Sequence, residues 1–217
     1  MPTDRTPEIL NALKEEGLPL TVITDHSLGK FQGEKMTYLM KRAASEFDAD
    51  WIFLLDGDEF IFCQGKNLEL PEVVDDTPVL KIPWKTYGPH PDDDQKVLNP
   101  VGRLAYRFAK EPGSDSPLED RIHLLKAVVP RNRALTPGAV ISQGNHVLSV
   151  AGKEISFLLH EELALAHYSI RSSGQYASKV SIAMLQHRYK ISPAANMEAF
   201  YAIDYRQIKE DFTSLSK

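Results

Sequence analysis

What this sequence lacks narrows its class first. Cys63 is the only cysteine, so no internal disulfide can form, and a reducing, cytoplasmic setting is the default expectation. No apolar run approaches the roughly 20 residues a membrane-crossing helix needs; Trp51 to Leu55 is only of strand length. The opening Met1-Pro2-Thr3-Asp4-Arg5 is too polar for a secretory leader. Positive charge is short as well: 25 Lys+Arg stand against 30 Asp+Glu, a formal net charge of −5. That balance argues against a broad groove tracking nucleic-acid phosphates. It leaves room for an anionic small molecule whose charge is met by local bases or a divalent cation. There is no internal repeat, no low-complexity tract and no clear linker, so one domain is expected. The remainder is ordinary for a soluble globular protein, 42% hydrophobic and 25% charged over 217 residues, enough to bury a real core.

Several segments carry a readable period. Thr6-Pro7-Glu8 predicts a helix start, with a hydroxyl cap, proline at the first helical position and then an acid. Ile9, Leu10 and Leu13 supply its apolar stripe, and Gly17 its stop. Leu20 to Thr24 predicts a short buried strand. Met36, Leu39, Met40, Ala43 and Phe47 share a helical face. Trp51 to Leu55 predicts a strand covered on both sides, because its apolar residues run without alternation. Helix, strand, helix, strand is the rhythm of an α/β domain with a parallel sheet. Further on, Val79 to Trp84, residues 103–108 and residues 121–129 are strand candidates. Val147 to Val150 and Ile155 to Leu159 predict a hairpin. Tyr176, Val180, Ala183, Met184 and His187 share a helical face, and 193–213 predicts another helix. The Gly- and Pro-rich stretch 111–117 predicts a surface loop.

The chemistry concentrates after the apolar strand, in Asp56-Gly57-Asp58-Glu59-Phe60. Asp-x-Asp alone is a weak signal, and Asp48/Asp50 and Asp92/Asp94 repeat it. Only Asp56/Asp58 stands at the carboxyl end of an apolar strand, where open α/β sheets place ligand crevices. Gly57 is expected to permit a tight turn that aims both carboxylates into one crevice. Carboxylates so close repel each other unless a cation intervenes. A Mg²⁺ or Mn²⁺ held by one or two carboxylates and by substrate phosphates would resolve that. The bland alternative is a solvated acidic turn.

Leu55-Asp56-Gly57-Asp58-Glu59-Phe60 resembles the Asp-x-Asp segment of family 2-type glycosyltransferases of the GT-A fold, in the group with LDxDEF and later HYxxxS signatures. Further landmarks follow in order: Lys81-Ile82-Pro83-Trp84, Tyr87-Gly88, Arg103 to Phe108, Lys126 to Pro130, Gly144-Asn145-His146, and Ala166-His167-Tyr168-Ser169-Ile170-Arg171-Ser172 with Gln175-Tyr176 and Lys179. The resemblance covers roughly residues 4 to 190. It implies an α/β fold of GT-A type, a mixed sheet flanked by helices. This nucleotide-diphospho-sugar transferase domain would span 1–190, with a C-terminal helical extension over 191–217. It also implies a metal-dependent transfer of sugar from a nucleotide-sugar donor, UDP-linked donors included, to the hydroxyl of a glycan or other acceptor, with inversion. A bacterial enzyme building a surface polysaccharide would be a fitting setting.

By the same resemblance Asp58 would ligate the metal, Asp56 would contact the donor ribose or the metal through water, and His167 would add a metal or diphosphate contact. Imidazole favours Mn²⁺ over Mg²⁺. Arg171, Ser172 and Lys179 would meet the donor diphosphate. An inverting transfer needs a general base, for which Glu119 and Asp120 are candidates and Asp92 to Asp94 weaker ones. Each of these has a plainer alternative, a satisfied core histidine or a solvated surface charge. His146 is a landmark without an assigned role.

The family pattern begins with a strand–helix–strand segment for which this sequence has no counterpart before Asp4. The GT-A-like domain is therefore expected to be partial at its N-terminus. Two central strands would be missing, and the open sheet edges would favour self-association. A misplaced start codon or cloned fragment, a rearranged sheet pairing the strands at 20–24 and 51–55, and completion by another chain all remain open. Two other functions compete. One is a truncated, inactive domain that only binds. The other is a haloacid-dehalogenase-type phosphatase, whose motif wants Thr or Val where this chain has Phe60.

Overall fold

The computed structural model describes residues 5–25, 31–63, 68–107, 125–160 and 162–188. The chain divides into two compact units, Met1–Lys30 and Phe31–Lys217. Glu119, Asp120, the loop 111–117, the helix expected over 193–213 and the boundary at 190 lie outside the described residues.

In the first unit, helix α1 spans Thr6–Glu15, with Pro7 in its first turn and Arg5 at the cap position. Arg5 Nε reaches Glu8 Oε2 at 3.0 Å. Gly17, at φ 89°, ends the helix, where the N–H groups of Gly17 and Leu18 bond back to the Lys14 and Leu13 carbonyls. Leu20 to Thr24 does not form the expected strand. Val22 is 55% exposed; an apolar run becomes a strand only where a neighbour supplies ladder partners.

The second unit is a mixed α/β fold. Helix α2, Gln32–Glu46, precedes β1, Trp51–Phe53, and β2, Glu59–Cys63. There follow β3 (Val79–Thr86), the short helix α3 (Pro100–Arg103), β4 (Leu125–Pro130) and the short helix α4 (Arg131–Ala134). Then come β5 (Ala139–Ile141), a 3-10 turn at Gln143–Asn145, β6 (Leu148–Val150), β7 (Lys153–Glu154), β8 (Phe157–Leu159), β9 (Leu163–His167) and α5 (Ser173–Arg188). No helix among the described residues is long and apolar enough to cross a membrane.

Strand β3 is the pivot of the main sheet, whose order is β1-β4-β3-β9-β2. One edge of β3 pairs antiparallel with β4, Leu80 opposite Val128. Its other edge is shared: β8 lies parallel along Val79–Lys81 and β9 parallel along Trp84–Thr86. Pro83, with no N–H to offer, stands where that edge passes from one partner to the next. The parallel sheet expected from the helix–strand rhythm is therefore corrected to a mixed one, the sheet type that the resemblance implied. β1 pairs antiparallel with β4, and β2 pairs antiparallel with β9 at the opposite end. Periodicity locates strands, but only tertiary context chooses their partners. Two further expectations are corrected. Residues 104–106 form no strand, and Arg107 makes only an isolated bridge to Tyr87. Of the expected hairpin, β6 pairs with Lys153–Glu154, whereas β8 leaves it to join β3.

Alternate residues of the central strands feed two cores, as the two-residue period requires. On one face Met40 and Ala44 of α2 pack with Ile52, Leu54, Val79, Ala127 and Val129, and Ala139, Ile141 and Leu148 of the small β5-β6-β7 sheet close the cluster. On the other, Leu80, Ile82, Val128, Leu163 and Leu165 are joined by Trp51, Phe53, Ile61 and Trp84.

Candidate functional site

The turn after β1 is closed by its own residues. The Glu59 N–H donates to the Asp56 carbonyl at 3.1 Å, and the Asp56 N–H donates to Glu59 Oε2 at 3.0 Å. Gly57 is not sterically required, contrary to the expectation for this turn. Its φ is not positive, and a Cβ there would meet nothing within 4 Å. The turn also sends its two aspartates to different partners.

Asp56 faces a buried lysine. Lys126, on β4, has no exposed side-chain surface, and its Nζ lies 3.1 Å from Asp56 Oδ2. The other Asp56 oxygen accepts from Gln32 Nε2 at 2.7 Å. The same Lys126 ammonium pairs with Glu59 Oε1 at 2.9 Å and donates to the Gly144 carbonyl at 3.1 Å. It lies 5.4 Å over the Trp84 ring. Burial pushes the Glu59 carboxyl pKa up; the Asp56 N–H and Lys126 only partly oppose this.

Residues 142–146 brace this group from the side. Gln32 Oε1 accepts from the Gly144 N–H at 3.3 Å, and Asn145 Nδ2 donates to the Leu54 carbonyl at 3.3 Å. His146 Nδ1 lies 2.8 Å from the Leu125 carbonyl, an oxygen that can only accept, so that nitrogen carries the proton. Gly144 has φ +80°, and a Cβ added to it would fall 2.4 Å from His146 Nε2. A glycine is required here.

Asp58 faces the histidine predicted by the later motif. Register places Glu59 opposite His167 on β9, and His167 Nε2 stands 3.9 Å from Asp58 Oδ1. Lys179 Nζ, from α5, is 3.7 Å from Asp58 Oδ2 and donates to the Ser169 carbonyl at 3.3 Å. The His167 ring lies tilted against Trp84, centroids 4.6 Å apart. Burial lowers the His167 pKa; Asp58 opposes this, and the charges of Lys179 and Lys126 reinforce it. Burial thus favours the neutral imidazole, the form that ligates metals.

The remaining sequence candidates separate. Ser172 Oγ accepts from the Gln175 N–H at 3.2 Å, which caps α5. Arg171 is tied through its backbone, its N–H to Gln175 Oε1 at 3.2 Å and its carbonyl to Arg103 Nη2 at 2.7 Å. Asp93 and Asp94 accept turn hydrogen bonds from the N–H groups of His90 and Lys96. Asp48 and Asp50 clasp Arg131, at 2.6 and 3.4 Å.

A divalent ion fits the donor chemistry in part. Asp58 and His167 offer one carboxylate and one neutral imidazole, compatible with Mn²⁺. No cluster of three or more His, Cys, Asp or Glu suited to a metal occurs among the described residues, so phosphates and water would complete such a shell. Sequence reasoning did not assign Lys126, Glu59, Gln32 or Trp84 a role. The available signal was a lone lysine inside the apolar run Leu125–Pro130, flanked by residues that are all buried. Comparison with known proteins finds no matching family model, no matching curated protein and no matching solved structure.

Proposed function

We propose that this chain is a glycosyltransferase of GT-A type that moves a sugar from a nucleotide-sugar donor to an acceptor hydroxyl, with inversion and with a divalent cation, Mn²⁺ in preference to Mg²⁺. One observation carries the proposal. Asp58 and His167, named by two motifs more than a hundred residues apart in the sequence, stand 3.9 Å from each other. Two donors of that kind at that separation suit one ion. Bound there, the cation would act as a Lewis acid toward the negative charge developing on the leaving diphosphate.

The chain's own groups would do the rest. Asp58 and a neutral His167 hold the cation. Lys179, only 3.7 Å from Asp58, exchanges that carboxylate for a diphosphate oxygen when a donor enters, an exchange its 41% side-chain exposure permits. Asp56, held on both oxygens by Lys126 and Gln32, presents a fixed acceptor edge to a ribose hydroxyl. The same two contacts count against Asp56 as a phosphatase nucleophile, which needs an oxygen turned to substrate.

Calorimetry with UDP and GDP, with and without Mn²⁺, tests this. Mn²⁺-dependent binding of a nucleoside diphosphate is expected, and Asp58→Ala should weaken it by about tenfold or more, the loss of one charged ligand. Unchanged affinity in that variant would remove the metal assignment.

A further inference from the structure

Lys126 is coordinated as a small cation would be. Three oxygens surround the ammonium: Lys126 donates to Asp56 Oδ2 at 3.1 Å and to the Gly144 carbonyl at 3.1 Å, and Glu59 Oε1 stands at 2.9 Å as an ion pair outside hydrogen-bond geometry. Neither Lys126 nor Glu59 exposes any side-chain surface, so water does not share the load. Two carboxylates and a carbonyl are the hard oxygen set that Mg²⁺ and Mn²⁺ prefer. Gln32 occupies the remaining Asp56 oxygen at 2.7 Å, and the Trp84 ring covers the ammonium at 5.4 Å.

We infer that Lys126 is a built-in cation: its ammonium fills a second metal position formed by Asp56, Glu59 and the Gly144 carbonyl, and so limits the site to a single divalent ion at Asp58. The single-ion clause rests on the proposed function; the masked second position does not. Lys126 is thus a positioning residue, acting through Asp56. Its lone charge replaces a metal that would otherwise have to be acquired from solution. Removing the charge leaves the buried Glu59 and the half-buried Asp56 without their counter-charge, and a divalent ion is the group of matching charge and donor preference.

The test is Mn²⁺ titration of the full chain, followed by electron paramagnetic resonance of the free ion, in wild type, Lys126→Met and Lys126→Met/Glu59→Gln. Lys126→Met is expected to bind one Mn²⁺ more than wild type, and Glu59→Gln in that background should abolish the gain. A lysine that merely supports the fold would lower the melting temperature and leave the number of bound ions unchanged, and that result overturns the inference. If wild type binds no Mn²⁺ but Lys126→Met does, the inference stands and the cation of the proposed function falls. If Lys126→Met is unfolded in chelator, Mn²⁺ should restore its far-ultraviolet circular dichroism, because metal binding then supplies folding free energy. Failure of Mn²⁺ to restore it also overturns the inference.

Discussion

Lys81 offers a measurement of what a buried charge costs this fold. Its side chain is 1% exposed, and its one ion pair among the described residues is with Glu154 Oε1 at 3.5 Å, a carboxylate that is itself 46% exposed. The ammonium lies 4.0 Å over the Phe157 ring. Burial lowers its pKa from 10.5 to about 8, and Glu154 recovers only part of the loss. That gap corresponds to about 3 kcal/mol against the charged form. Between about pH 8 and 10.5 the unfolded chain holds a proton that the folded chain has released, so stability rises with pH across that window. Below it both states are protonated and the gain is absent; above it the gain is complete. The wild type should therefore gain about 2 kcal/mol from this group between about pH 7 and pH 9.5. Lys81→Met removes the titration. It should stabilise the protein at neutral pH by up to about 3 kcal/mol, at about 2–4 °C per kcal/mol for a chain of this size. Its advantage over wild type should shrink by about 2 kcal/mol at about pH 9.5. Urea unfolding of both proteins at the two pH values, followed by tryptophan fluorescence, reads the difference. Parallel changes in the two proteins would refute the reasoning, since they would mean that Lys81 keeps an ordinary pKa in the folded state.

Gly144→Ala should destabilise by about 1–3 kcal/mol, through a strained φ of +80° and a Cβ 2.4 Å from His146 Nε2. Gly57→Ala, with nothing within 4 Å, should stay within about 0.5 kcal/mol; thermal melts of the pair check both. Ser172→Ala should cost about 1 kcal/mol by removing the α5 cap. Calorimetry should find its Mn²⁺-dependent nucleotide affinity unchanged if capping, where Ser172 Oγ accepts from the Gln175 N–H, is all the hydroxyl does; a loss of affinity would assign it to the donor diphosphate.

The elements were more legible than their arrangement. The stripe through Met36, Met40 and Ala43 marked α2 correctly, since a helix satisfies its own backbone and needs only one apolar face. The stripe differs from the structure at two of its five positions: Leu39 and Phe47 are exposed, while Ala44, outside it, is buried. Trp51 to Leu55 and Leu20 to Thr24 look alike as apolar runs. Only the first joins a sheet, through β4, whose position beside it depends on residues nearly eighty further along. Strand pairing is a property of two segments, and no period within one of them names the other. The parallel-sheet expectation failed for that reason.

The site shows the same division between local pattern and long-range register. Asp58 and His167 could be picked out because each stands in a motif with its own chemistry. Lys126 could not, because a charge within an apolar strand ordinarily signals an exposed edge. Here the Lys126 side chain is fully covered, with the Trp84 ring and the Gly144 carbonyl against its ammonium, so it has no route to solvent and must find its counter-charges inside. The turn after β1 supplies them in Asp56 and Glu59. That changes what the acidic motif means electrostatically. Three carboxylates converge, but two are already paired with Lys126, and Lys179 stands only loosely against Asp58 at 3.7 Å. Three carboxylates against two ammonium groups leave one surplus negative charge, spread over the cluster and not confined to one residue. On the function proposed above, a cation settling between Asp58 and His167 would offset that surplus where an anionic donor approaches, so binding of metal and of phosphate would both depend on Asp58.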